Sequence, residues 1–550
     1  MATITSGSCL LFLVPLVLFL AGQCKSTAPA PPKRLKILFY TAGDEGSHHM
    51  KNVKIAEALV RKGCDVTFLL SSSCTKWRDA SGAAMFKFAV HQSRYTPEDR
   101  ERDSREYSRL ALRGELLGTE NALKLYARQT FYANDREWFN FHSDECDSLL
   151  GDSATIRALR EERFDLLVGE DLSDCHPLLA EILGIKFVLY GAHGIIPSKG
   201  HWYGVPRHPA YIPEHYTGLT DNMNLLQRLI NTCLYVAHDL GRRASLWRYE
   251  KLQRKYNLSP ETSMPEMMAR AQLWLFTTAF GLEFTRPLQP NVVVFASPML
   301  GIPSDAKIPK DLLEFLDAAN EGVVLFTLGN CMTEMDTAQA QLFADGLARL
   351  SQRIIWQFAG DLSHLRLGNN TKMVQWMPQQ KIMEHPNTKV FLSHGGRNGL
   401  YEAAWFGLPV VGIPLFEDQL DNLEGAVAKG MALQLDIVTL TEDALYDAVT
   451  RVVEEPRFRE SAQHISHLLR DQPAIPSEKA AFWIAHVARY GGEHLRPRAA
   501  DLSWIEFHLV DVYALLAAIL LVVLGIFILF CKGCLWLVCP SKRQEKLKIN

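Results

Sequence analysis

The densest set of residues able to do chemistry reads Ser393-His394-Gly395-Gly396-Arg397-Asn398-Gly399-Leu400-Tyr401-Glu402. An apolar strand, 389–393, ends at Ser393, two glycines let a ligand approach the backbone, and a helix then begins. The N–H groups and positive dipole end of a helix start suit a phosphate. His394 stands where it can donate to a phosphate oxygen. Glu402, four residues after Asn398 on the same helical face, can accept from ribose hydroxyls. Upstream, Trp376-Met377-Pro378-Gln379 closes another strand. Trp376 offers a flat face to a base, and Gln379 offers both a donor and an acceptor. Downstream, Phe416-Glu417-Asp418-Gln419-Leu420-Asp421-Asn422 carries carboxylates and an amide suited to sugar hydroxyls. Each segment alone also fits a plainer role: a Gly-rich turn, a core Trp beside a turn proline, a solvated loop. The three together suit a nucleotide-sugar.

Such a site needs strands that end together. LKILFYT (35–41) reads as a buried strand, AGDEGSH (42–48) as a turn, and Met50, Val53, Ala56, Leu59 and Val60 recur at helical spacing until Gly63. DVTFLL (65–70) is the next strand, completing a βαβ unit and implying a parallel sheet. FDLLVG (164–169) and KFVLYG (186–191) extend it. Residues 201–285 read as aromatic-rich and mostly helical. Pro287, Pro290, Pro298, Pro303 and Pro309 mark 286–310 as a connection. A second series follows at 323–328, 354–358, 373–376, 389–393 and 409–414. The expected architecture is α/β, with two doubly wound halves, 35–285 and 311–497, facing a cleft. Ligands bind at the carboxyl ends of such strands.

With 550 residues and 48% hydrophobic content the chain is globular and exceeds one ordinary core. A net charge of -3 leaves no electrostatic footprint for nucleic acid. The apolar run 9–20 and the small and polar residues after it read as a signal peptide, 1–24. Residues 512–531 contain no Lys, Arg or Glu and suit a transmembrane helix. The basic tail 532–550, with Lys532, Lys542, Arg543, Lys546 and Lys548, then lies on the cytosolic side and the bulk of the chain in the lumen. Lys546 and Lys548 resemble a dilysine address for return to the endoplasmic reticulum membrane. Of 11 cysteines, Cys64, Cys74, Cys146, Cys175, Cys233 and Cys331 fall in the lumenal part with no CxxC pair, which speaks against zinc. One or two disulfides suit that compartment, with no pairing legible. Asn369-Asn370-Thr371 and Asn257-Leu258-Ser259 fit the glycosylation pattern.

The runs WMPQ (376–379) and FLSHGGRNGLYEAAWFGLPVVGIPLFEDQLDN (391–422) together resemble the signature of the UDP-glycosyltransferase superfamily, of the animal UDP-glucuronosyltransferase type. The likeness continues through Asp471-Gln472-Pro473, Ala481-Phe482-Trp483-Ile484 and His494-Leu495-Arg496-Pro497. LTDNMNLLQRLINT (219–232) and LGNNTKMVQWMPQ (367–379) look most like the ceramide galactosyltransferase branch. The resemblance implies a GT-B fold and metal-independent, inverting transfer, with a UDP-sugar as co-substrate and no cofactor. It implies a lipophilic acceptor (a sphingolipid, steroid or phenol-like molecule), with 80–150 and 203–284 shaping its pocket and touching the membrane, and it extends to self-association. Carried over residue by residue, Trp376 would stack on uracil and Gln379 would contact base or ribose. His394, Asn398 and Gly399 would meet the diphosphate, Glu402 the ribose, and Asp418 and Gln419 the sugar, with Thr327 and Asn330 lining the first loop.

Gly46-Ser47-His48 resembles the family's catalytic segment. At a helix start the dipole disfavours imidazolium, which keeps His48 a neutral base near pH 7; its neighbour His49 is the weaker candidate. The family's carboxylate partner for this histidine is an Asp after the strand at 164–168. Counting along this chain lands on Glu170, with Asp171 next, and the two remain alternatives. Gln357 stands where relatives often have Arg, and Gln419 where the ceramide galactosyltransferase branch has His. Two other classes compete: a non-catalytic nucleotide-sugar or lipid binder on the same fold, and a dinucleotide oxidoreductase, which AGDEGSH fits poorly because it lacks the GxGxxG spacing.

Overall fold

A computed structural model of the chain describes residues 34–41, 46–79, 82–131, 140–206, 208–302, 306–329, 332–361 and 363–538. The signal segment, Asn330, Cys331 and the tail with its paired lysines lie outside them. Two parallel sheets form the frame. The first has seven strands: β1 (Lys36–Tyr40), β2 (Asp65–Ser71), β3 (Lys87–His91), β4 (Leu166–Glu170), β5 (Phe187–Gly191), β6 (Trp274–Thr277) and β7 (Val292–Phe295). The second has six: β8 (Val323–Thr327), β9 (Arg353–Gln357), β10 (Thr371–Val374), β11 (Thr388–Ser393), β12 (Val410–Gly412) and β13 (Ala432–Gln434). The helices around these sheets include α1 (Gly46–Arg61), α2 (Pro97–Leu112), α3 (Gly118–Phe131), α4 (His176–Leu183), α5 (Leu225–Ser245), α6 (Arg397–Trp405), α7 (Gln419–Ala428), α8 (Pro476–Tyr490) and α9 (Val510–Val538).

The strands are continuous apolar runs because both sheet faces are covered, as parallel sheets require. Along β1 the alternation divides cleanly. Leu38 and Tyr40 enter one core with β4, β5 and Trp274, while Ile37 and Phe39 enter the other with α1. In the second sheet Val324 and Phe326 face one core and Val323 and Leu325 the opposite one. The strand orders are β3-β2-β1-β4-β5-β6-β7 and β10-β9-β8-β11-β12-β13. Each order reverses direction once, between β1 and β4 in the first sheet and between β8 and β11 in the second. At such a reversal the following loops diverge and open a crevice. The two crevices face one another.

Two boundaries differ from the sequence reading. The proline-rich connection, 286–310, contains β7, which pairs with β6 in register from Trp274–Val292 to Thr277–Phe295 and ends the first sheet. Its prolines flank the strand, where no ladder hydrogen bond is lost. Helix α8, assigned by order in the chain to the second half, crosses back. Its Ala480, Ala481, Ile484, Ala485 and Val487 complete the core against α1. In the opposite sense, Ala111 and Leu112 at the end of α2 join the core of the second domain. The stretch 201–285 holds α5, shorter helices at Trp247–Lys255 and Met264–Met268, and β6, joined by turns and loops. Cys146 and Cys175 form a disulfide, fixing the residue that precedes α4.

Candidate active site

His48 is the third residue of α1, which leaves the carboxyl end of β1. Glu170 is the last residue of the adjacent β4. Neighbouring strands at the reversal therefore deliver the two side chains to one point, and Nδ1 of His48 hydrogen-bonds Oε1 of Glu170. The carboxylate is buried while the imidazole is partly open. Burial pushes the Glu170 carboxyl up, but His48, Lys51 and His176 more than offset this, and its pKa lies below the ordinary glutamate value. The Glu170 backbone is held in turn. Its N–H donates to Nε2 of His176 at 3.0 Å, and Nδ1 of His176 lies 2.8 Å from the Ser173 carbonyl. That pair requires the Nδ1–H tautomer. Burial pushes the His176 pKa down and keeps the ring neutral. Asp171 faces elsewhere, accepting from Nζ of Lys199 at 3.0 Å, with Nε2 of His193 at 3.8 Å. Of the two carboxylates left open by the sequence, Glu170 is the partner of His48.

Across the cleft, β11 ends at Ser393 and α6 starts at Arg397. Gly395 has φ of +77°, a conformation that glycine enters without cost. A Cβ on Gly396 would stand 2.3 Å from Nε2 of His394, and one on Gly329 would stand 2.8 Å from Cε1 of the same ring. Glycine at both places lets the turn close over His394. Burial pushes the His394 pKa down to about 4, so the ring is a neutral donor. Gly399 packs on Phe391. Glu402, buried, accepts from Nε2 of Gln379 at 2.6 Å and of Gln380 at 2.8 Å. A carboxylate accepts about four hydrogen bonds, so capacity remains. Trp376, by contrast, is 68% exposed, its ring face available for stacking.

Several assigned groups are partly committed within the protein. The Thr327 hydroxyl bonds Gln357 and accepts from the Gly329 N–H, shaping the turn after β8. Gln419 accepts from the Leu415 and Phe416 N–H groups, at 2.9 and 3.2 Å. Asp418 accepts from Nε of Arg397 at 3.2 Å. Asn398 reaches the other domain, its Nδ2 donating to the Ser47 carbonyl at 3.3 Å. This contact sets the start of α6 against the start of α1, one residue from His48.

Three residues of the site escaped the sequence reading. Arg397 is a clamp. It pairs with Asp418 at 3.2 Å and Glu283 at 2.5 Å and donates to the Thr277 carbonyl at the end of β6. Tyr401 bonds the same Glu283 and accepts from the Ala279 N–H. Lys51, one turn after His48 in α1, is fully buried and donates to the Ala192 carbonyl at 2.9 Å. Burial and the nearby Arg397 push its pKa down to about 8, against the pull of Asp418, Glu170 and Glu402. Its spacing of three from His48 was the available signal.

The two facing Rossmann-like domains with paired crevices are those of the GT-B fold. Solved structures of similar fold agree: the glycotransferase of kitacinnamycin covers 83% of this chain and 99% of its own at a TM-score of 0.57 and 19% identity. VinC, a glycosyltransferase solved with DTDP, gives a TM-score of 0.56 at 17% identity, covering 83% and 100%. Residues 36–545 match the family described as UDP-glucoronosyl and UDP-glucosyl transferase, and the chain belongs to it. The human 2-hydroxyacylsphingosine 1-beta-galactosyltransferase is 35% identical over 83% of this chain and 81% of its own length. The UDP-glucuronosyltransferase 2B33 of Macaca mulatta is 34% identical over 91% and 93%. The chain is therefore an enzyme that uses a UDP-sugar donor.

Proposed function

We propose that the chain transfers a hexosyl or glucuronosyl group from the UDP-sugar to a hydroxyl of a lipophilic acceptor, with inversion. The observation that carries this is the His48–Glu170 pair held against the start of α6. Glu170 fixes Nδ1 as the protonated nitrogen, so Nε2 takes the acceptor proton. The acceptor oxygen bonds the anomeric carbon as the bond from that carbon to the diphosphate breaks. The electron pair leaves with UDP, and Glu170 stabilises the imidazolium that forms. One direct displacement inverts the carbon. Trp376 and Gln379 would hold uracil, Glu402 the ribose, His394, Asn398 and Gly399 the diphosphate, and Asp418 and Gln419 the sugar. The helix start and Lys51 give positive field to the leaving group, so we assign no metal. Helix α9 is long and apolar enough to cross a membrane. We take it as a single-pass anchor with both domains in the lumen of the endoplasmic reticulum.

The names of the relatives bracket the chemistry. One class acts on an acylsphingosine with galactose, the other moves glucuronate. Gln419 favours the glucuronosyl or glucosyl side. A panel of UDP-glucuronate, UDP-glucose and UDP-galactose, tested on microsomes with ceramide and with phenols, decides between them. His48→Ala is expected to abolish turnover while UDP still binds. Absence of turnover by the unmodified chain across the panel would favour a non-catalytic binder on this fold.

A further inference from the structure

Helix α5 is built inside out. Its polar face is the buried one: Nδ2 of Asn231 donates to the carbonyls of Pro209 and Ile212 at 2.7 and 2.8 Å, and its Oδ1 accepts from the Glu214 N–H at 2.8 Å. Tyr235 donates to the Ile212 carbonyl at 3.2 Å, and His238 is buried beside it. The apolar face is turned outward. Leu225, Leu226, Leu229, Ile230, Val236 and Leu240 are 44–76% exposed. At helical spacing they form one stripe spanning roughly 140° of the circumference. A continuous apolar stripe of this length is not a surface that a protein keeps in water.

Its place in the fold identifies what covers it. Helix α5 rests on the turn Pro197–Tyr203, and that turn packs on the turn Arg498–Asp501. The approach is close: a Cβ on Gly204 would lie 2.8 Å from Cγ of Pro497. Helix α9 begins at Val510. So α5 sits two contacts from the segment that enters the membrane helix. Resting on the reading of α9 as an anchor, we propose that α5 lies in the surface of the bilayer that α9 crosses, its outward stripe among the lipids. An amphipathic helix does this when its apolar face can reach the acyl boundary and its polar face is satisfied. Here Asn231 and Tyr235 of the polar face bond the protein itself. The segment gripped by that face ends at Tyr216, whose N–H donates to Asp421 of α7 at 2.8 Å. The helix that meets lipid thus also holds a wall of the cleft, where an acceptor dissolved in the bilayer would enter.

The test uses the full chain in phosphatidylcholine vesicles. Cys233 is exposed within the stripe and serves as a native labelling site once the other unpaired cysteines are replaced by alanine. An environment-sensitive fluorophore is attached there and, in a C233A background, at L521C in α9 or K310C on the second domain. Nitroxide-bearing lipids are expected to quench the labels at Cys233 and L521C but not at K310C. Leu226→Lys with Leu229→Lys is expected to abolish quenching at Cys233 while turnover of a water-soluble phenol persists. Quenching at L521C without quenching at Cys233 overturns the surface placement and leaves the anchor standing. No quenching at L521C overturns the anchor and the placement with it. Self-quenching at Cys233 that fades on dilution with unlabelled chain makes a second copy the occupant and overturns the proposal. Persistent quenching in the lysine variant also overturns it.

Discussion

Glu170 stands where the resemblance implies aspartate, and its side chain reaches His48 directly from the end of β4. Orientation by this carboxylate is an effect on turnover, not on donor binding. Glu170→Ala is expected to lower kcat by about 10²–10⁴-fold, the range of general-base contributions, with the affinity for UDP unchanged by calorimetry. Glu170→Asp keeps the charge but withdraws it by one methylene, and its kcat should fall between the two. On the proposed function, Lys51 acts on the donor side. Its pKa, pushed down by burial to about 8, means that the ammonium is charged at pH 7 and discharges as the pH rises through that value. The KM for the UDP-sugar should therefore climb between pH 7 and pH 9. Lys51→Met should show a raised KM with that rise removed, and a KM–pH profile of the two proteins checks it.

At the scale of elements, the ends of strands carry the site. β4 ends in Gly169 and Glu170, and α4 starts six residues later with His176. A Cβ on Gly169 would come within 2.0 Å of the His176 ring. That ring cannot give way, because it is fully buried and bonds the Glu170 N–H and the Ser173 carbonyl. Gly169→Ala should destabilise the fold by about 1–3 kcal/mol, the usual result of overpacking. It should lower kcat as well, because displacing His176 releases Glu170. Thermal melts and steady-state kinetics on the same variant test both effects.

At the scale of the whole molecule, the domains are interlocked. α8 completes the core of the first domain, the end of α2 enters the core of the second, and Arg397 pairs across the cleft. Asp421 adds a contact that depends on pH. Burial pushes its carboxyl up to about 7, and the same cause raises Glu214 to about 7. A carboxyl whose pKa is higher folded than unfolded gives stability that is full below the unfolded value, about 4, and lost as the pH rises through the folded value. Stability should therefore decline from pH 4 to pH 7 through these two groups. Asp421→Asn should make that decline shallower, leaving the share due to Glu214, as read from denaturant midpoints across the range.

The strands and the glycine turn were legible in the sequence because apolar runs, helical spacing and turn residues are local properties. β1, β2, β4, β5, β8, β9 and β11 begin and end within about two residues of their expected places, the ordinary uncertainty of element ends. The strands that were missed are short or edge strands. β3 is only half covered, β6 lies among helices, β7 sits between prolines, and β13 has three residues. The donor segments likewise announced themselves through residue types at fixed spacing. What the tertiary structure decided is which groups meet. Glu170 rather than Asp171 pairs with His48 because β4 adjoins β1 at the reversal of strand order, a pairing 122 residues apart in the chain. Lys51, the Arg397 clamp, the return of α8 to the first domain and the outward face of α5 are of the same kind. The sequence determined most of the elements and the class of donor, since both reside in short segments. The long-range pairing of those elements decided the acid–base pair and the surfaces, since neither exists until distant segments are in contact.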